Sequence, residues 1–148
     1  FLGLQRMSRE PASLKGKPLS PLNDLGIDLP AEAEGKMLLV CFWDVGQRPS
    51  RNCMTQLAAR AAQLGDRGVM VVAVQAAKPE GDALNQWIEE NKIPFQVGCI
   101  GSNFDKTQFA WGAVSLPHLI LTDKEHIVVA EGFSLVDLDD QIEAVAGR

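Results

Sequence analysis

The chain is short of cysteine: it has three, Cys41, Cys53 and Cys99, and no two of them form a Cys-x-x-Cys. Thiols so few and so widely spaced exclude a disulfide framework and a zinc site. Their odd number leaves at least one free or paired with another molecule. Basic charge is also scarce, with 14 Lys and Arg against 19 Asp and Glu and a net charge of -5. The basic residues are scattered, which argues against a nucleic-acid stripe and against a polybasic membrane surface. The longest apolar run, Met37 to Trp43, falls far short of the ~20 residues that a spanning helix needs. No repeat, low-complexity stretch or second domain is legible. A chain that opens on Phe1 reads as a mature or excised piece, so a missing signal segment says nothing about compartment.

What is present is apolar mass. Of 148 residues, 46% are hydrophobic. One domain is the natural prior, and a domain of this size buries roughly 70% of its unfolded surface, enough to fold without a metal or disulfide. Residues 1–14 have no consistent period and read as a tail, with the domain over 15–148. Pro18, Pro21, Gly26 and Pro30 predict turns and short extended pieces before Lys36.

From there strands and helices alternate. Met37 to Trp43 is apolar on both alternating faces, as in a strand buried on both sides. Asp44 to Pro49 reads as a loop and Ser50 as the cap of a helix running to about Leu64. Met54, Leu57, Ala58, Ala61 and Leu64 make its buried stripe, and Gly65 ends it. Val69 to Val74 is a second two-sided strand. Asp82 is expected to cap a helix bearing Leu84, Trp87 and Ile88, stopped by Pro94. Phe95 to Cys99 follows as a strand, then a helix over Asp105 to Trp111 closed by Gly112. Leu119 to Leu121 and Ile127 to Glu131 read as an antiparallel pair around the turn Asp123 to His126. Ser134-x-x-Asp137 resembles a capping box for a last helix with Leu135, Leu138, Ile142 and Val145 on its apolar face. Its acidic start, Asp137 to Asp140, reads as solvated. The order β-α-β-α-β-α-β-β-α predicts an α/β sheet, parallel where helices intervene, with an antiparallel edge from the closing hairpin.

Several ordered pieces carry a resemblance. They are Leu39-Val40-Cys41-Phe42-Trp43, then Arg51, then Ile93-Pro94-Phe95, then Ala110-Trp111-Gly112 followed by Leu116-Pro117, then Leu119 to Asp123. In that order and spacing the chain, over roughly residues 15–146, resembles the thioredoxin fold. Within it, the chain is similar to the redoxin branch of membrane-anchored or periplasmic thiol–disulfide oxidoreductases, the TlpA and ResA type. The resemblance implies a central mixed sheet flanked by helices, an extracytoplasmic setting, and a cis bond before Pro117. It also implies a loop near Pro117 able to hold an extended protein or peptide chain by strand addition.

The departures bear on function. In relatives a Cys-x-x-Cys pair follows the Phe-Trp after three residues, and those two positions fall on Gln47 and Ser50. The tryptophan usual before the first cysteine is Gly46, and the buried acid of thioredoxin's strand is Cys41. Thiol–disulfide exchange needs an attacking thiolate and a resolving thiol, and a carboxamide and a hydroxyl supply neither. Ser50 has no evident base, although Pro117 could bring His118 near it. Cys53, three residues beyond Ser50, is the thiol nearest the site. It reads either as a single catalytic cysteine helped by the helix dipole or, preferably, as a small apolar residue beside Leu57. Cys41 and Cys99 read as packing or idle thiols, and Trp43 and Trp111 as core. Arg48 and Arg51 offer an acidic group a place at the helix N-terminus, with two solvated arginines as the plainer alternative. Leu116 and His118 flank Pro117 as candidate binding residues. The pattern calls for no cofactor and no metal. Two functions follow: a binding or accessory module without the redox pair, or a peroxidase or monothiol reductase using Cys53.

Overall fold

Strand β1, Met37–Trp43, is buried along its whole length, as an all-apolar heptapeptide must be to lie between two layers. The computed structural model describes residues 13–146. On one side of β1 lies β2, Val69–Gln75, in parallel; on the other lies β4, His118–Thr122, antiparallel. β3, Gln96–Cys99, extends the sheet parallel to β2, and β5, Val128–Glu131, runs antiparallel to β4. The order is β3-β2-β1-β4-β5. Antiparallel pairing therefore begins at the centre of the sheet and not at an edge hairpin alone. The chain leaves β3 at one edge, crosses beyond β1, and enters β4 reversed.

Four α-helices lie among the described residues: α1 over Arg48–Asp66, α2 over Ala83–Glu90, α3 over Phe104–Ala110 and α4 over Leu138–Ala146. The pleat of β1 sends alternate residues to two cores. Met37, Leu39, Cys41 and Trp43 pack with Met54, Leu57 and Leu64 of α1 and Leu138 and Ile142 of α4. Val40 and Phe42 pack on the other face with Leu22, Leu25, Ile27 and Trp111. Trp43 stacks at a tilt on Trp87 at 5.1 Å and Phe42 on Trp111 at 5.3 Å, so both tryptophans read as core are core.

Several boundaries move. α1 begins at Arg48, with Gln47 at the cap position and Pro49 in the first turn, where no N–H is needed. Ser50 is thus inside the helix and is not its cap. The helix also passes through Gly65 and ends at Asp66, because the left-handed residue that turns the chain is Gly68, at φ 80°. At Ser134 the hydroxyl accepts the Val136 N–H at 3.3 Å, but the Asp137 N–H goes to the Ser134 carbonyl and a 3-10 turn, Leu135–Asp137, precedes α4. Asp139 is not merely solvated: it accepts Arg60 at 2.6 Å and Arg67 at 2.9 Å, tying α4 to α1.

The segment before β1 covers the far edge. Pro18 bridges Ile127, and the Gly16 N–H reaches the Val128 carbonyl at 2.8 Å. Residues 1–12 of the expected tail lie outside the described residues. Its last two are held: the Ser13 hydroxyl at 2.6 Å and the Leu14 N–H at 2.9 Å both donate to one oxygen of Glu131. Close packing at Gly98 brings the turn after Leu22 onto β3, since a Cβ there would run into the Leu25 carbonyl oxygen.

Candidate functional site

The chain leaves β1 at the carboxyl ends of two parallel strands, where open α/β sheets place their sites. Gln75, the last residue of β2, makes that exit. It is fully buried, its Oε1 accepts the Val45 N–H at 2.9 Å, and its Nε2 donates to Asp44 Oδ1 at 3.1 Å and to the Ala77 carbonyl at 2.9 Å. Asp44 Oδ1 also accepts the Gly46 N–H at 2.9 Å, and Arg51 Nη1 donates to the Val45 carbonyl at 2.9 Å. These bonds hold residues 44–46 and so set where α1 starts.

At that start Gln47 and Arg48 are exposed. Ser50 is fully buried, and its hydroxyl finds no hydrogen-bond partner. Arg51 is committed to the loop carbonyl, so of the two arginines only Arg48 faces solvent without an ion pair among the described residues. The largest hollow beside the loop, about 440 Å³, is lined by Asp44, Arg51, Lys78, Glu80 and Trp87, among others, with charges of both signs.

The Leu116–Pro117 bond is cis. From Val114 to Leu116 no backbone N–H or carbonyl has a partner among the described residues, and Val114 is 59% exposed. Leu116 itself packs against the core on the Phe42 face. His118 stands opposite Phe42 in the ladder and its pKa is lowered by burial, with Glu131 pulling partly upward. Its Nε2 is buried without a partner, as is the Ser50 hydroxyl, so no Ser50–His118 hydrogen bond forms.

Cys53 lies on the opposite face of the sheet. It shares a cavity of about 220 Å³ with Pro117, Leu119, Gln56, Phe133, Ser134 and Leu135. Neither Gln47 nor Ser50 lines that cavity. Both Cys53 and Cys41 are buried in the core between β1 and α1, as packing residues would be, and the Cys41 thiol reaches the Phe42 carbonyl at 4.0 Å. The neighbouring Cys41 thiol lowers the Cys53 pKa against the opposing pull of burial, and Cys53 pushes the Cys41 pKa well up, with burial adding to the rise. Cys99 lies half-buried at the end of β3, its pKa raised by burial.

Two features escaped the sequence reading. The Gln75 clamp had a signal, a polar residue closing an apolar strand. The placing of Cys41 and Cys53 in one core had one as well, since Cys41 shares the parity of Leu39 and Trp43, and Cys53 lies one turn before Leu57. Among the described residues no three His, Cys, Asp or Glu side chains converge as a metal site would require, and no helix is long and apolar enough to cross a membrane.

A sequence model of the AhpC/TSA family matches residues 23–131. The chain belongs to the AhpC/TSA family. No curated protein matches it. Among solved structures, this AhpC/TSA domain is similar to the thioredoxin domain of a thiol-disulfide oxidoreductase from Bacteroides vulgatus, at 25% identity and a TM-score of 0.64, over 76% of this chain and 81% of that one. It is also similar to a thiol:disulfide interchange protein from a Bacteroides species, at 22% identity and a TM-score of 0.65, over 94% and 90%. A third likeness, to the thioredoxin-like superfamily protein SPOA0173, has 21% identity and a TM-score of 0.70, over 92% and 98%. The fold is thioredoxin-like, and the matched segment spans β1, the α1 N-terminus, Cys53 and Pro117 together.

Proposed function

We propose that this AhpC/TSA-family domain is a binding or accessory module of a larger, extracytoplasmic protein, in which the start of α1 no longer carries thiol exchange. Counting on from Phe42-Trp43, the two positions that bear cysteine in TlpA- and ResA-type relatives carry Gln47 and Ser50, which cannot exchange electrons with a thiol. The observation that carries the binding role is the run of open backbone at Val114–Leu116, beside Pro117 and next to exposed Val114. Such an edge takes an extended peptide by main-chain hydrogen bonds. Titrating the 15N-labelled domain with reduced, carboxymethylated insulin chains tests it. Shifts centred on the 114–116 amides support the role, and no shifts there overturn it.

The alignment of the α1 loop has its own test. Gln47→Cys with Ser50→Cys is expected to form a disulfide and to reduce insulin. A double variant that forms none means that the loop does not follow the relatives' geometry.

A second reading, a thiol enzyme using Cys53, is favoured by the cavity that Cys53 shares with Pro117. Insulin reduction or peroxide consumption that is lost in Cys53→Ser would support it. Silence in both assays would remove it.

A further inference from the structure

We propose that the open edge of β2 at Val69–Val71 binds the carboxyl-terminal end of an extended apolar peptide, whose carboxylate is held by Lys36 and the β2 main chain. The site lies across β1 from the Val114–Leu116 loop, at the amino ends of the parallel strands, and is separate from the binding role proposed there.

One residue of the sequence leaves this edge open. β2 pairs with β1 along all of Val69–Gln75, but β3 covers only Val72–Gln75. Main-chain groups along a strand point alternately to its two neighbours. The Met37 N–H goes to the Gly68 carbonyl and the Ala76 N–H to the Trp43 carbonyl, so even-numbered positions along β2 serve β1. The Ile100 N–H goes to the Gln75 carbonyl, so odd-numbered positions serve β3. By the same alternation β3 pairs through Gln96 and Gly98, and the next residue back in that role is Pro94. Proline has no N–H to give the Val69 carbonyl, and β3 starts after it, at Gln96. The Val69 N–H, the Val69 carbonyl and the Val71 N–H are left without a partner among the described residues, although both valines are buried. Buried main-chain groups are rarely left so.

A cavity of about 290 Å³ opens on these three groups. Ala61 and Gly65 of α1, Pro30, Pro94 and Phe95 wall it, and Lys36 is its one charged side chain. Lys36 is half-buried and has no ion pair among the described residues. The amide of Gln96, which also lines the cavity, is bound both ways to the Asp28 main chain, at 2.9 and 2.6 Å, and so is already satisfied. Two donors and one acceptor in this order match an acylated dipeptide laid antiparallel to β2. Its carboxylate takes the Val69 N–H and the Lys36 ammonium. Its last N–H donates to the Val69 carbonyl, and its acyl carbonyl takes the Val71 N–H. Lys36 precedes Met37, the partner of Val69, so the positive charge stands at the Val69 end and fixes this direction. The main-chain bonds are those of strand addition, and those to the carboxylate are strengthened by its charge.

The 15N-labelled chain is titrated with N-acetyl-Val-Val as the free acid, with the same dipeptide as its carboxamide, and with butyrate. The dipeptide acid is expected to give saturable shifts centred on the Val69 and Val71 amides. The carboxamide is expected to bind at least about fivefold more weakly, since it carries no charge for Lys36. Lys36→Met is expected to weaken the acid by about three- to tenfold and to bring it within about twofold of the carboxamide. No shifts at Val69 and Val71, or equal binding of acid and carboxamide by the wild type, overturns the proposal. A preference for the acid that survives in Lys36→Met overturns the role of Lys36. Butyrate acting at the same concentration as the dipeptide overturns the peptide assignment and leaves a site for any small carboxylate. Shifts confined to the 114–116 amides overturn this site and support the other, so the two proposals fail separately.

Discussion

Replacing Gln75 with leucine removes the clamp on residues 44–46 while nearly keeping its volume. Three hydrogen bonds go: from the Val45 N–H, to Asp44 Oδ1 and to the Ala77 carbonyl. A neutral intramolecular bond is worth about 1 kcal/mol net, and one to a charged group about 1.5–3 kcal/mol. Asp44 and Val45 are only partly buried, so water replaces some of what is lost. The leucine also gains some apolar burial. The balance is a loss of roughly 2–4 kcal/mol. For a chain of 148 residues that lowers Tm by roughly 6–13 °C. Calorimetry measures the loss, and amide exchange locates it. The amides of residues 45–47 are expected to exchange faster, with those of β1 falling only as global stability falls. Gln75→Glu is expected to be worse, since its carboxylate would face Asp44 and could no longer donate to it. A Gln75→Leu variant whose Tm stays within about 2 °C of wild type, with unchanged exchange in the loop, would refute the reasoning.

The other predictions probe separate contacts. Gly98→Ala drives a Cβ into the Leu25 carbonyl, and is expected to cost about 1–3 kcal/mol by thermal denaturation as the turn lifts from β3. An unchanged Tm would show that the turn yields freely. Asp139→Asn frees Arg60 and Arg67 from a carboxylate that is 56% exposed, so the expected cost is only about 0.5–1 kcal/mol, vanishing in 1 M salt. A loss that persists in high salt would contradict a screened surface pair. His118 has its folded pKa lowered by burial, so between that value and the unfolded one, about 6.5, the unfolded chain binds more protons. Its contribution is therefore fully present above about pH 6.5 and is lost as pH falls toward the folded pKa. Urea midpoints measured across that range should slope upward with pH, and the slope should shrink in His118→Asn.

Periodicity carried most of the fold into view before any coordinates. A seven-residue apolar run with no polar face, too short for a buried helix, reads as a central strand, and Met54, Leu57 and Leu64 recur at the spacing of one helical face. Those are local facts, set by the pleat and by 3.6 residues per turn. Helix ends were harder to place. A glycine or a serine signals a boundary, but the one that acts depends on where the chain must turn, and that proved to be Gly68 and not Gly65.

Composition and spacing alone established that no Cys-x-x-Cys exists and that Gln47, Ser50 and Pro117 occupy suggestive places. What they could not decide was which thiols share a core. Cys41 and Cys53 each look like packing residues along the chain, since each lies on a buried stripe. That both end in one core depends on how α1 packs against β1. Likewise, the cavity at Pro117 opens toward Cys53, not toward Gln47 or Ser50, because β4 pairs with β1 so that Leu119 faces Cys41. Local pattern determines which residues are buried; the packing of one element on another determines which buried residues touch.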